Sequence, residues 1–213
     1  MPKNRYWRAL VLGTLVSAFV NSAFILAEWW AVSPHGSEAG LWLVIILVFP
    51  MLAAILALPV SLLLTVSRST RKWACQVALF ALPYAIIALV SIRGAGRLRM
   101  HAFEQLAERS APLVEAIKKY ETDHGRPPAE LAELVPRYLP AIPTTGMKAY
   151  PDYNYLVRNN AEQDEGNPWV LIVSTPSGGI NFDQFMYYPK QNYPKHAYSS
   201  WLERIGDWAY CHE

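Results

Sequence analysis

Three apolar stretches, Ala9 to Val32, Leu41 to Val66 and Trp73 to Ile92, constrain this chain more than any other feature. Each reaches or exceeds the roughly 20 residues an α-helix needs to cross about 30 Å of hydrocarbon, and a core helix of a water-soluble domain is seldom so long and so bare. Pro50 and Pro59 interrupt the second run and Pro83 the third. Proline costs about 3 kcal/mol in an exposed helix but is tolerated in membrane bundles, so these positions predict kinked spanning helices. Trp7, Trp29, Trp30, Trp42 and Trp73 sit near the ends of the runs, where an amphipathic ring settles at headgroup level. Residues 1–93 are therefore expected to form a transmembrane anchor, and residues 94–213 a separate water-soluble domain.

Charge supports the division and sets an expected orientation. Before Gly94 there are seven Lys or Arg against two acidic residues, and after it twelve against fifteen. The formal net charge of +2 is thus a residue of two opposed halves, not the concentrated basic surface that nucleic-acid binding requires. Lys3, Arg5 and Arg8 precede the first run, Arg68, Arg71 and Lys72 separate the second from the third, and Ser33 to Gly40 carries no basic residue. The positive-inside rule puts the amino terminus and the 68–72 loop in the cytoplasm, and three crossings then export the C-terminal domain. Arg93, Arg97 and Arg99 oppose this, six basic residues against three. A cleaved signal peptide ending at Ile25-Leu26-Ala27 is the competing reading of the first run, and it leaves the domain on the same side. Asn21, Glu28 and Gln76 are the polar interruptions. Glu28, beside Trp29 and Trp30, is expected to reach interfacial water, and no pair of opposite charges is expected to be buried.

The C-terminal part reads as α+β. Phe103, Leu106, Ser110, Leu113, Ile117 and Tyr120 recur at helical spacing between Arg97 and His124, with Pro112 as a kink or a restart capped by Ser110. Gly125 offers a left-handed C-cap and Pro127-Pro128 a stop, followed by a short helix from about Pro128 to Val135. Period-two patterning then predicts strands around Tyr153 to Val157, Trp169 to Ser174, Ile180 to Tyr188 and Asp207 to His212. Gly178-Gly179 and Ile205-Gly206 are the expected turns, and Asn159 to Asn167 is a polar loop. A long helix laid across an antiparallel meander follows.

The segment LVEAIKKYETDHGRPPAELAELVPRYLP, Leu113 to Pro140, resembles the stretch after the membrane helix of type IV pilins and type II secretion pseudopilins. The resemblance rests on Tyr120, His124, Gly125, Arg126, Pro127, Pro128, Leu131, Leu134, Val135, Tyr138, Leu139 and Pro140. It implies a pilin-like domain, in which Gly and Pro end the helix and the apolar residues fold the chain back against it. The leader cleavage site and the Glu near the start of a pilin helix have no counterpart before Trp73, and two helices precede it. What the resemblance implies is therefore a pilin-type domain on a permanent anchor in a bacterial inner membrane, with an envelope or secretion-system protein as its partner.

Catalytic signatures are missing. His35, His101, His124, His196 and His212 form no HExxH and no pair at i, i+4, there is no CxxC, and Cys75 and Cys211 suggest no disulfide framework. Asp152, Asp164, Glu165, Asp183 and Asp207 are a conceivable calcium set, although solvated loop acids are the simpler reading and no cofactor is expected. Ser174 or Ser177 with His196 and Asp183 is a triad only on paper. The cluster Tyr187, Tyr188, Tyr193, Tyr198, Trp201, Trp208 and Tyr210 is the candidate interface, against the alternative that these rings pack the sheet on its helix. The expected function is a non-enzymatic protein-interaction role. The alternative is an envelope enzyme or carrier for lipid or glycan, with a cleft lined by Asp183, Asp207 and His196.

Overall fold

The computed structural model describes residues 3–157, 163–177, 181–193 and 201–212. The protein is α+β: three long apolar helices and then a five-stranded antiparallel sheet. Helices α1 (Lys3–Val32), α2 (Glu38–Leu64) and α3 (Arg71–His124) are each long and apolar enough to cross a membrane. Contacts divide the chain into a first unit of 1–31 and 38–99 and a second of 32–37 and 100–213.

The first unit has its polarity reversed relative to a water-soluble fold. Leu15, Phe19, Leu26, Ile46, Phe49, Leu56, Leu63 and Val90 are exposed, whereas Ser17, Asn21, Glu28, Ser61, Ser91 and Arg99 are buried among alanines, Phe24, Met51 and Tyr84. Buried α1 positions step through Gly13, Ser17, Asn21, Phe24, Ala27 or Glu28, and Ala31, which is one face of a helix. A side chain at Gly13 would collide with the backbone of Phe80 on α3, so only glycine permits this approach.

Glu28 does not reach water. It is 4% exposed and pairs with Arg99 at 3.1 Å, also buried, which corrects the expectation that no opposite charges are buried. Two charges removed from water must pair, and the partner lies 71 residues away on another helix, where local sequence gives no sign of it.

Helix α3 is a single element of 54 residues running through Pro83, Gly94, Gly96 and Pro112. The expected restart at Ser110 is not made. Its hydroxyl donates to the Leu106 carbonyl (2.7 Å) inside the helix and meets the Tyr153 hydroxyl at 2.8 Å. Gly125 closes the helix at φ +68°, its N–H donating to the Glu121 carbonyl at 2.8 Å, a conformation that favours a residue without Cβ. The expected second helix contracts to a 3₁₀ turn, Leu131–Leu134, whose Leu134 is fully buried.

The strands are β1 (Asn154–Val157), β2 (Trp169–Ser174), β3 (Gln184–Tyr187), β4 (Leu202–Ile205) and β5 (Trp208–Cys211), in the order β1-β2-β3-β5-β4. The meander is thus broken, because β5 pairs with β3 as well as with β4. Strand β4 was not expected: two of its four residues, Glu203 and Arg204, are charged, which suits a sheet edge and hides the period of two. The β4–β5 turn is as expected, with Gly206 at φ +58°. The Gly178-Gly179 turn and residues 159–162 of the polar loop lie outside the described residues; Gln163–Gly166 is a 3₁₀ turn.

One sheet face packs on α3. Phe103 stacks on Phe185 with centroids 5.1 Å apart and tilts against Tyr210 at 4.9 Å, and Trp169 Nε1 donates to Glu121 at 3.2 Å. Phe103, Leu106, Leu113 and Ile117 are fully buried beneath it. The opposite face carries a smaller cluster of Val170, Met186, Tyr188 and Cys211, with Tyr193 and Leu202 against it.

Candidate protein-interaction surface

The aromatic residues singled out in the sequence divide between the two sheet faces. Tyr187, Trp208 and Tyr210 alternate inward toward α3, where they are 2–3% exposed; Phe185 stacks on Trp208 at 4.9 Å. Their sidedness follows from register, since Tyr187 pairs with Trp208 and Phe185 with Tyr210. Tyr188 turns to the other face and stacks on Tyr193 at 4.8 Å. The Tyr193 hydroxyl donates to the Asp207 carbonyl (2.6 Å) and accepts from the Tyr188 N–H (2.9 Å), and Arg204 lies over its ring. Burial pushes the Tyr193 phenol well above its ordinary range. Trp201 is exposed, with one face stacked on His212 at 3.7 Å. Tyr198 lies outside the described residues. Four of the seven rings therefore belong to the packed interior of the sheet.

The other predicted groups are dispersed. Asp183 is buried and accepts from the Tyr210 hydroxyl at 2.6 Å and from Asn181 at 3.1 Å, while Asp207 is exposed at the β4–β5 turn and His196 lies outside the described residues. Ser174 is exposed and Ser177 accepts from Asn181. Asp152 and Glu165 are exposed. Among the described residues no group of three or more His, Cys, Asp or Glu is placed to hold a metal ion.

The pilin-resembling residues form a connected cluster at the end of α3. Tyr120 stacks on His124 at 4.1 Å and against Tyr138 at 5.5 Å, and its hydroxyl donates to Glu133 on the returning turn. The second Glu133 oxygen accepts from the Ala129 N–H at 2.9 Å, and Tyr138 donates to Asp123 at 2.8 Å. The Tyr120 bond holds the Glu133 carboxyl below the usual carboxylate range and raises the phenol above its own. Tyr155, raised chiefly by burial, ties the sheet to the same turn by donating to the Pro128 carbonyl at 3.0 Å.

A surface that the sequence did not mark lies between α3 and the β4–β5 turn. It is an open groove of about 420 Å³, floored by Ala107, Ala111 and Val114 with Trp208 and Tyr187 beneath, and rimmed by Glu108, Glu115 and Asp207. The signal available in the sequence was the pairing of small residues with acids at helical spacing, Ala107-Glu108 and Ala111 with Glu115. Its meaning depended on β4, the strand that patterning did not reveal.

Comparison with protein-family models, curated proteins and solved structures finds no match for this chain.

Proposed function

We propose that the protein is an integral protein of a bacterial inner membrane that carries an exported, pilin-like domain for binding another protein, in an envelope or secretion-assembly role. The observation that carries the membrane part is the inverted polarity of the first unit. Large apolar side chains cover its outside and polar groups fill its inside, an arrangement that is stable when the surroundings are hydrocarbon. The orientation is supported by two further features. Segment 32–37 clusters with the C-terminal domain, where the Lys148 N–H donates to the Ser33 carbonyl at 3.4 Å, which favours one side of the membrane for both. Arg99 is neutralised by Glu28, so only Arg93 and Arg97 remain to oppose six cytoplasmic basic residues. The pilin-like part is supported by a helix whose apolar first half continues into the helix beneath an antiparallel sheet, followed by the Tyr120 to Pro140 return.

Cysteine accessibility in intact cells tests this reading. With Cys75 and Cys211 replaced by Ala, a reporter at exposed Asp152 (Asp152→Cys) is expected to react with a membrane-impermeant thiol reagent added outside. Labelling only after lysis would place the domain in the cytoplasm and remove the secretion-related role.

A further inference from the structure

The groove beside α3 joins an apolar floor to an acidic rim. Ala107 and Ala111 keep the floor low, and nothing stands within 4 Å of where a Cβ on Gly206 would project. Glu108 and Glu115 are two helical turns apart on one bank and Asp207 is on the other, all three exposed. None of these carboxylates makes an ion pair among the described residues. The cation in the lining, Lys118, instead holds its ammonium 5.4 Å over the Tyr187 ring. Scattered surface acids are ordinary and solvated. Three around an apolar floor suit a ligand that is itself apolar along its stem and cationic at its head, the character of a lysine or arginine side chain.

A space of about 420 Å³ exceeds what one ion needs, and being an open groove it leaves room for a chain to run along it. We propose that this groove docks a polypeptide segment of a partner protein, its Lys or Arg stem lying along Ala107 and Ala111 and its head among Glu108, Glu115 and Asp207. The proposal rests on the protein-interaction reading above and gives the partner a chemistry: a basic residue flanked by small apolar ones. Rim charges of this kind contribute to encounter and selectivity, and so impose a salt dependence.

The test uses the full-length protein in neutral phosphatidylcholine nanodiscs and a random displayed library of 12-residue peptides. The control is the variant Glu108→Gln/Glu115→Gln/Asp207→Asn, its fold checked by near-ultraviolet circular dichroism. Selected peptides are expected to carry Lys or Arg, to bind the control about tenfold more weakly, and to lose affinity as salt rises. Replacing the peptide's basic residue with Gln should weaken binding to the native groove but add little on the control. Peptides without basic residues, or equal binding to the control, would overturn the proposal. Photocrosslinking in cells from Ala111, and from Arg137 outside the groove, separates this failure from that of the wider reading. A partner captured at Arg137 regardless of the groove variant would sink the groove alone, and no capture from either position would sink both. Groove-dependent crosslinks to a second copy of the chain would overturn the choice of a different protein as occupant.

Discussion

Glu28 and Arg99 show how one residue's role depends on a partner that sequence places far away. Each is buried, and in a low-dielectric interior each offsets the other's charge. Removing one partner leaves that charge behind, whereas replacing both by apolar groups removes the problem together with the pair. Arg99→Ala and Glu28→Gln are therefore each expected to destabilise the detergent-solubilised protein by about 3–5 kcal/mol. Glu28→Leu/Arg99→Met is expected to lie much closer to the native protein, or above it, in denaturant unfolding followed by tryptophan fluorescence. Equal and additive losses in the two single variants and the double would show that the charges act separately.

At the scale of elements, α3 decides what the sequence could and could not reveal. Its buried positions run Ala81, Tyr84, Ala88, Ser91, Ala95, Arg99, Phe103, Leu106, Ser110, Leu113, Ile117 and Tyr120, one stripe at spacings of three and four. The stripe changes from small residues to large ones on the way, so it reads as two helices, and Gly94, Gly96 and Pro112 strengthen the impression of breaks. The apolar runs, the helix below the sheet, the Gly125 stop and most of the strands were legible because each is a local pattern. The continuity of α3, the edge strand β4 and the groove that β4 helps form were not, because they depend on long-range packing. Neither glycine is required for close approach: nothing lies within 4 Å of a Cβ at Gly94 or Gly96. In an uninterrupted exposed helix, Gly94→Ala should stabilise the protein by about 0.5–1 kcal/mol, through propensity and reduced freedom of the unfolded chain. A loss of stability at this position in thermal unfolding would mean that α3 is hinged there.

For the whole molecule, the two units place their apolar residues in opposite ways, and this bears on whether the second can exist alone. The first exposes large apolar side chains and buries polar ones, the arrangement on which the membrane reading proposed above rests. The second turns Phe103, Leu106, Leu113 and Ile117 of α3 inward against Val173, Phe185, Trp208 and Tyr210, so its core is supplied by residues after Met100. A chain of this size buries enough surface to fold without a second domain. A fragment of residues 100–213 is therefore expected to be soluble without detergent and to unfold in one cooperative transition. Its near-ultraviolet circular dichroism should report fixed rings, because Phe185 stacks on Trp208 and Trp169 on Tyr187 within that core. Omitting residues 32–37 removes the Lys148 N–H bond to the Ser33 carbonyl, worth about 1 kcal/mol, together with the other contacts of a segment that clusters with this unit. A fragment that aggregates, or keeps helical signal while losing the aromatic bands, would mean that the first unit holds the sheet in place. The pilin-like part of the proposal would then lose its support, since a domain that borrows its fold from the anchor is not an independent module mounted upon it.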